Sequence, residues 1–238
     1  MNSLEVDRLD IEIANLAERI TDLGTYVEEM FKNAISLLFS RDWSSLYTIF
    51  QSAPDVSPVT LVGEAVGIIA RWGPTEERLR TVVALQQAAD GFDGILRTVT
   101  HISDKARQMD DEIEVYFARM GQDSYHAFYK LIQSAHIQLR GCIVALCTKQ
   151  ANLATNVIAQ DGVLDHAYME MQTVTKAAIM ADPSLSLPLG LISVIVADIE
   201  SLGNGVTRIC QRIETISRGV SSSFIPVVSR EYSMPAVG

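Results

Sequence analysis

Between Leu9 and Leu37 apolar residues recur at Leu9, Ile13, Leu16, Ile20, Leu23, Val27, Met30, Ala34 and Leu37, in alternating steps of four and three. That spacing lays one stripe along an α-helix and predicts the seam of a helical bundle. The same alternation returns through Ile192, Ile195, Ile199, Leu202, Val206, Ile209, Ile213 and Ile216. Two such seams need covering helices, and the chain between them supplies candidates. Proline removes a backbone donor and clashes inside a helix. The prolines stand at 54, 58, 74, 183, 188, 226 and 235, so 75–182 has none and reads as long helices.

Six helices follow from these breaks. The first carries the Leu9–Leu37 seam. The second begins near Asp42, stumbles at Ala53-Pro54-Asp55-Val56-Ser57-Pro58 and resumes to about Arg71, before the break at Trp72-Gly73-Pro74. Pro74 opens the third, which runs to about Met109. A fourth, about Asp111 to Cys147, carries a stripe at Phe128, Ile132, Ala135, Leu139, Cys142 and Leu146; a fifth covers about Ala151 to Met180. Ala181-Asp182-Pro183 separates it from a sixth ending near Arg218, and 219–238, with Ser221-Ser222-Ser223 and two prolines, reads as a mobile or loosely docked tail. The order long, broken, long occurs twice. A shift of 107 residues sets Val99 over Val206, Ile102 over Ile209 and Asp93 over Glu200, and brings Pro74 within two residues of Pro183. The expectation is an all-α chain of two tandem three-helix bundles, a first unit at 1–109 and a second at 110–218, with the tail at 219–238.

Composition narrows the function. With 238 residues, 48% apolar and 20% charged, the chain has ample material for a core. Its net charge of −10 argues against a nucleic-acid groove, which needs clustered positive charge. Cys142, Cys147 and Cys210 show no Cys-x-x-Cys spacing, so neither a disulfide framework nor a zinc finger is indicated, and a reducing cytoplasm is expected. The first ten residues carry Glu5, Asp7 and Asp10 where an export signal would carry positive charge. The most apolar stretch, Leu185 to Ala197, is interrupted by Pro188 and is shorter than the roughly 20 residues needed to span a bilayer. A soluble protein is expected.

Catalytic patterns are not visible. His166 follows Asp165 directly and so points about 100° away from it around a helix. His101, His126 and His136 have no partner at Glu-x-x-His spacing, the pattern of ferritin-like di-iron sites. Neither a phosphate-cradling Gly-x-x-x-x-Gly-Lys-Ser/Thr loop nor a Gly-x-Ser-x-Gly elbow occurs. The chain is not expected to be an enzyme.

The run Asp182-Pro183, then Leu189 to Ala197, then Asp198-Ile199-Glu200-Ser201-Leu202-Gly203-Asn204 resembles the signature of PhoU-type phosphate-uptake regulators, in which a proline-led third helix carries a Leu-Glu-Arg-Ile-Gly-Asp-like core. Pro74 to Arg80, with Leu79-Arg80, and His101-Ile102-Ser103-Asp104-Lys105-Ala106 are similar to the same helix of the first repeat. The resemblance covers roughly residues 4–217 and is most specific over 182–213. It implies a cytoplasmic, often dimeric negative regulator of the phosphate-starvation response. The partners it implies are a phosphate ABC-transporter ATPase and a sensor histidine kinase, and any contact with a membrane is through them.

Many proteins of that type hold iron or zinc with acid-x-x-x-acid pairs on the second and third helices of each repeat. Residues four apart share a helical face, so two helices can present up to four carboxylates to one cation. Here Asp161-Gly162-Val163-Leu164-Asp165 keeps one pair, while the opposing helix has Glu200 but Asn204 in place of the second acid. In the first repeat the corresponding positions are Ala53, Ser57, Asp93 and Arg97, one acid of four, with a positive charge where a cation would sit. No cofactor is required by this reading; an iron or zinc ion, where one is bound, is expected at Asp161, Asp165 and Glu200. The alternative is a metal-binding or metal-storing helical protein in which these carboxylates are the point, and a further one is an unrelated helical scaffold.

Overall fold

The computed structural model describes residues 3–40, 57–109 and 113–218, and among them every regular element is helical. The helices are α1 (Ser3–Ser40), α2 (Pro58–Trp72), α3 (Glu76–Gln108), α4 (Ile113–Met120), α5 (Gln122–Thr148), α6 (Ala151–Ala159), α7 (Asp161–Ala181) and α8 (Ser186–Arg218), with a 3₁₀ turn at Pro183–Leu185. The start of the second helix near Asp42, its stumble at 53–56, the side chain of Ile216 and the 219–238 tail lie outside the described residues.

Each boundary has a local cause. Ser57 precedes α2, and its hydroxyl accepts the Thr60 N–H at 3.2 Å, with Pro58 in the first turn where no donor is missed. The helix ends on Gly73 in the left-handed region, φ 49°. Pro74 does not open the next helix as expected. Thr75 takes the cap position in extended conformation, and α3 begins at Glu76 with Glu76 and Glu77 in its first turn and Lys105 and Arg107 in its last, matching the helix dipole at both ends.

The expected fourth and fifth helices are each broken once. Gly121, at φ 94°, separates α4 from α5, and the buried Ser124 hydroxyl closes the corner by bonding to the carbonyls of Phe117 (3.1 Å) and Gly121 (2.6 Å). Gln160 separates α6 from α7. Pro183 opens the 3₁₀ turn, and Pro188 falls in the first turn of α8, where backbone donors have no partner within the helix. Pro188 therefore does not interrupt the apolar run as expected. Pro183–Glu214 is long and apolar enough to cross a bilayer by length and composition, yet its seam from Ile192 to Ile213 is buried within the protein.

Both seams are buried along their described length, from Leu9 to Leu37 and from Ile192 to Ile213. The α5 stripe is buried too, with Ile132 at its margin. α3 and α8 are each 33 residues long and make the most extensive helix pair, with α1 packing on α3 and α5 and α8 also on α5, α6 and α7. The tandem arrangement is thus joined side by side over one continuous core.

Candidate functional site

α7 and α8 bring the expected carboxylates together. Gly203 makes this approach possible: a β-carbon there would overlap the Leu164 side chain and stand 3.1 Å from Gln138 Oε1. Glu200 lies half-buried one turn before Asn204, whose amide donates to Glu200 Oε1 at 2.7 Å. Asp161 accepts from the Thr207 hydroxyl at 3.2 Å. Burial pushes the Glu200 carboxyl above its ordinary range; the Asn204 bond opposes this, and the negative charges of Asp165 and Asp161 reinforce it. The three acids therefore share one field.

They do not form a ligand set. Among the described residues no group of three or more His, Cys, Asp or Glu side chains is placed to hold a metal ion. One oxygen of Glu200 is engaged by Asn204 on the same helix, and one of Asp161 by Thr207. In the first repeat Asp93 is paired with Arg97 one turn on, and Ser57 caps α2. Ala53 lies outside the described residues. Gln138, fully buried on α5 beside Gly203, has neither amide atom partnered among the described residues.

Two charged clusters escape sequence reasoning. Glu28 on α1 is buried and meets His136 Nε2 at 2.7 Å, Arg140 Nη1 at 3.3 Å and Lys32 Nζ at 3.5 Å, the first two on α5. Burial works to raise its pKa, but the bond from His136, the Lys32 charge and the Arg140 bond overcome it, leaving the carboxyl below its ordinary range. His101 on α3 lies 2.7 Å from Asp198 on α8. Burial raises the Asp198 carboxyl against the opposing pull of His101 and Lys105. Both clusters bridge the two halves of the chain. His126 and His166 are exposed and have no partner among the described residues.

The architecture has counterparts among solved structures. The crystal structure of the phosphate transport system regulatory protein PhoU from Streptococcus pneumoniae superposes with a TM-score of 0.76 at 18% identity, covering 89% of this chain and 98% of that one. PhoU from Pseudomonas aeruginosa superposes with a TM-score of 0.65 at 13% identity, covering 92% and 100%. No family model and no curated protein sequence matches the chain. The fold is PhoU-like.

Proposed function

We propose that this chain is a negative regulator of phosphate uptake and the phosphate-starvation response, acting as an adaptor rather than an enzyme. The observation that carries this reading is the PhoU-like fold extending over nearly the whole chain. In this reading the protein works in the cytoplasm as a homodimer. Its helical surfaces engage a phosphate ABC-transporter ATPase and a sensor histidine kinase, and it reaches the membrane only through them. Restraint of the kinase is then a differential binding energy that disappears with the adaptor. The metal-storing alternative has no specific observation in its favour, and no step of the proposal passes through iron or zinc.

A phosphate-starvation reporter in phosphate-replete cells tests it. Deletion is expected to raise expression, and Ile199→Ala to approach the deletion by weakening the core. Asp161→Ala with Asp165→Ala is expected to leave repression largely intact. An unchanged reporter on deletion refutes the proposal. Full derepression by a folded double aspartate variant returns the carboxylates to the centre of the function.

A further inference from the structure

Along the α3–α8 contact lies an open polar cavity of about 380 Å³, which none of Asp161, Asp165 and Glu200 lines. Gly91 lies against Ile209, Gly205 against Ile95 and His101 against Asp198, so the two helices run antiparallel. That register sets Gln87 and Asp90 of α3 at the end where α8 carries Arg208 and Arg212, with Thr98 and Ser201 at the other end. Gly94 forms an open stretch of wall: a β-carbon there would meet no atom within 4 Å.

The two arginines differ from most of the other described arginines, Arg8 alone among those being likewise without an acid at ion-pair distance. Arg19, Arg71, Arg78, Arg80, Arg97, Arg107, Arg119 and Arg140 each face an acid within ion-pair distance. Arg208 and Arg212 line one cavity four residues apart and have no acidic partner among the described residues, in a chain carrying ten more acids than bases. Asp90, the single acid lining the cavity, leaves its lining with an excess of one positive charge.

From this geometry we infer that the α3–α8 cavity binds a small phosphomonoester, with Arg208 and Arg212 holding the phosphoryl group at one end and Thr98 and Ser201 facing a hydroxylated body at the other. One guanidinium fork satisfies both oxygens of a carboxylate, whereas the three terminal oxygens of a phosphate ester leave acceptors for a second fork. The volume exceeds what a lone oxyanion fills and falls at the lower end of the range of small-molecule pockets, about 300–1,000 Å³. Asp90 stands at the arginine end and lowers the positive charge there to an excess of one, while Thr98 and Ser201 offer neutral hydroxyls to the body. The inference stands apart from the regulatory reading, and either can fail without the other.

Isothermal titration calorimetry of the full chain in phosphate-free buffer tests it, with ribose 5-phosphate, inorganic phosphate and succinate as probes. Ribose 5-phosphate is expected to saturate one site per chain. Arg208→Gln or Arg212→Gln should weaken it about tenfold or more, while Arg8→Gln, outside the cavity, should leave it unchanged. Gly94→Leu is expected to abolish binding by filling the cavity without weakening the helix, since leucine is the better helix former. Inorganic phosphate binding as tightly as the ester overturns the ester reading, since the hydroxylated body would then add nothing. The inference is overturned by no saturable heat from either phosphate, by succinate binding equally well, or by binding indifferent to both Arg212→Gln and Gly94→Leu in folded protein.

Discussion

Glu28 and Glu200 are both carboxylates withdrawn from water beside a bundle seam, and their surroundings drive them in opposite directions. Glu28 stands next to the seam residue Val27 and collects His136, Arg140 and Lys32, so it stays ionised below the ordinary carboxylate range. Glu200 stands next to Ile199 and has an amide for its hydrogen bond and Asp161 and Asp165 for company, so protonation becomes easier. Burial acts in the same sense on both. The neighbouring helix decides the outcome: α5 offers bases to α1, while α7 offers acids to α8. One acid ties the halves of the molecule together, and the other accumulates negative potential on one face.

The most damaging way to break this contrast is to loosen the helix that carries Glu200. Ile199→Ala should cost about 2–5 kcal/mol, the range for large-to-small changes in a packed core, read by chemical denaturation. A loss below about 1 kcal/mol would show that the seam is not a tight core. Next comes Glu28→Gln, expected to cost about 1–3 kcal/mol at pH 7, as for hydrogen bonds to a charged group. Because the folded pKa of Glu28 is depressed, its contribution is present above the unfolded value near 4.5 and lost as pH falls through the folded value. The difference between wild type and variant should therefore shrink on acidification below about pH 4.5.

Glu200→Gln is the smallest effect and has the opposite sign. Its folded pKa is raised, so ionisation destabilises the native state as pH rises through the unfolded value near 4.5 and beyond. The variant should be more stable than wild type at pH 7, by no more than about 1 kcal/mol given solvent screening of a half-exposed group. The gain should vanish near pH 3. A destabilised Glu200→Gln protein would mean that the Asn204 bond outweighs the repulsion of the two aspartates.

The helical seams were legible because burial repeats with the turn of the helix: every described position of the Leu9–Leu37 and Ile192–Ile216 patterns lies in the core. The breaks at Gly121 and Gln160 were not, since a lone glycine is tolerated within a helix and glutamine is a good helix former. Ser57 and Thr75 did carry a readable sign, a hydroxyl side chain immediately before a helical pattern. At the site, the shared face of the i, i+4 pair Asp161–Asp165 could be read from spacing and Glu200 only from the family resemblance, but whether they converge could not. Glu28 lies 108 residues from His136 and 112 from Arg140, so no local pattern announces that cluster. The cavity arginines were similarly hidden, because pairing is a property of the folded surface.

The antiparallel docking of α3 on α8 also sets an order of events during synthesis. The apolar face that Ile95 and Val99 belong to is complete once α3 has been made, but its most extensive partner is the last described helix of the chain. At about 5–20 residues per second, the stretch from 109 to 185 takes roughly 4–15 s to appear. Throughout that interval the nascent first half holds an uncovered seam. Translation speed and early chaperone contact therefore bear on the yield of this protein more heavily than on one whose helices pack only with their neighbours in sequence.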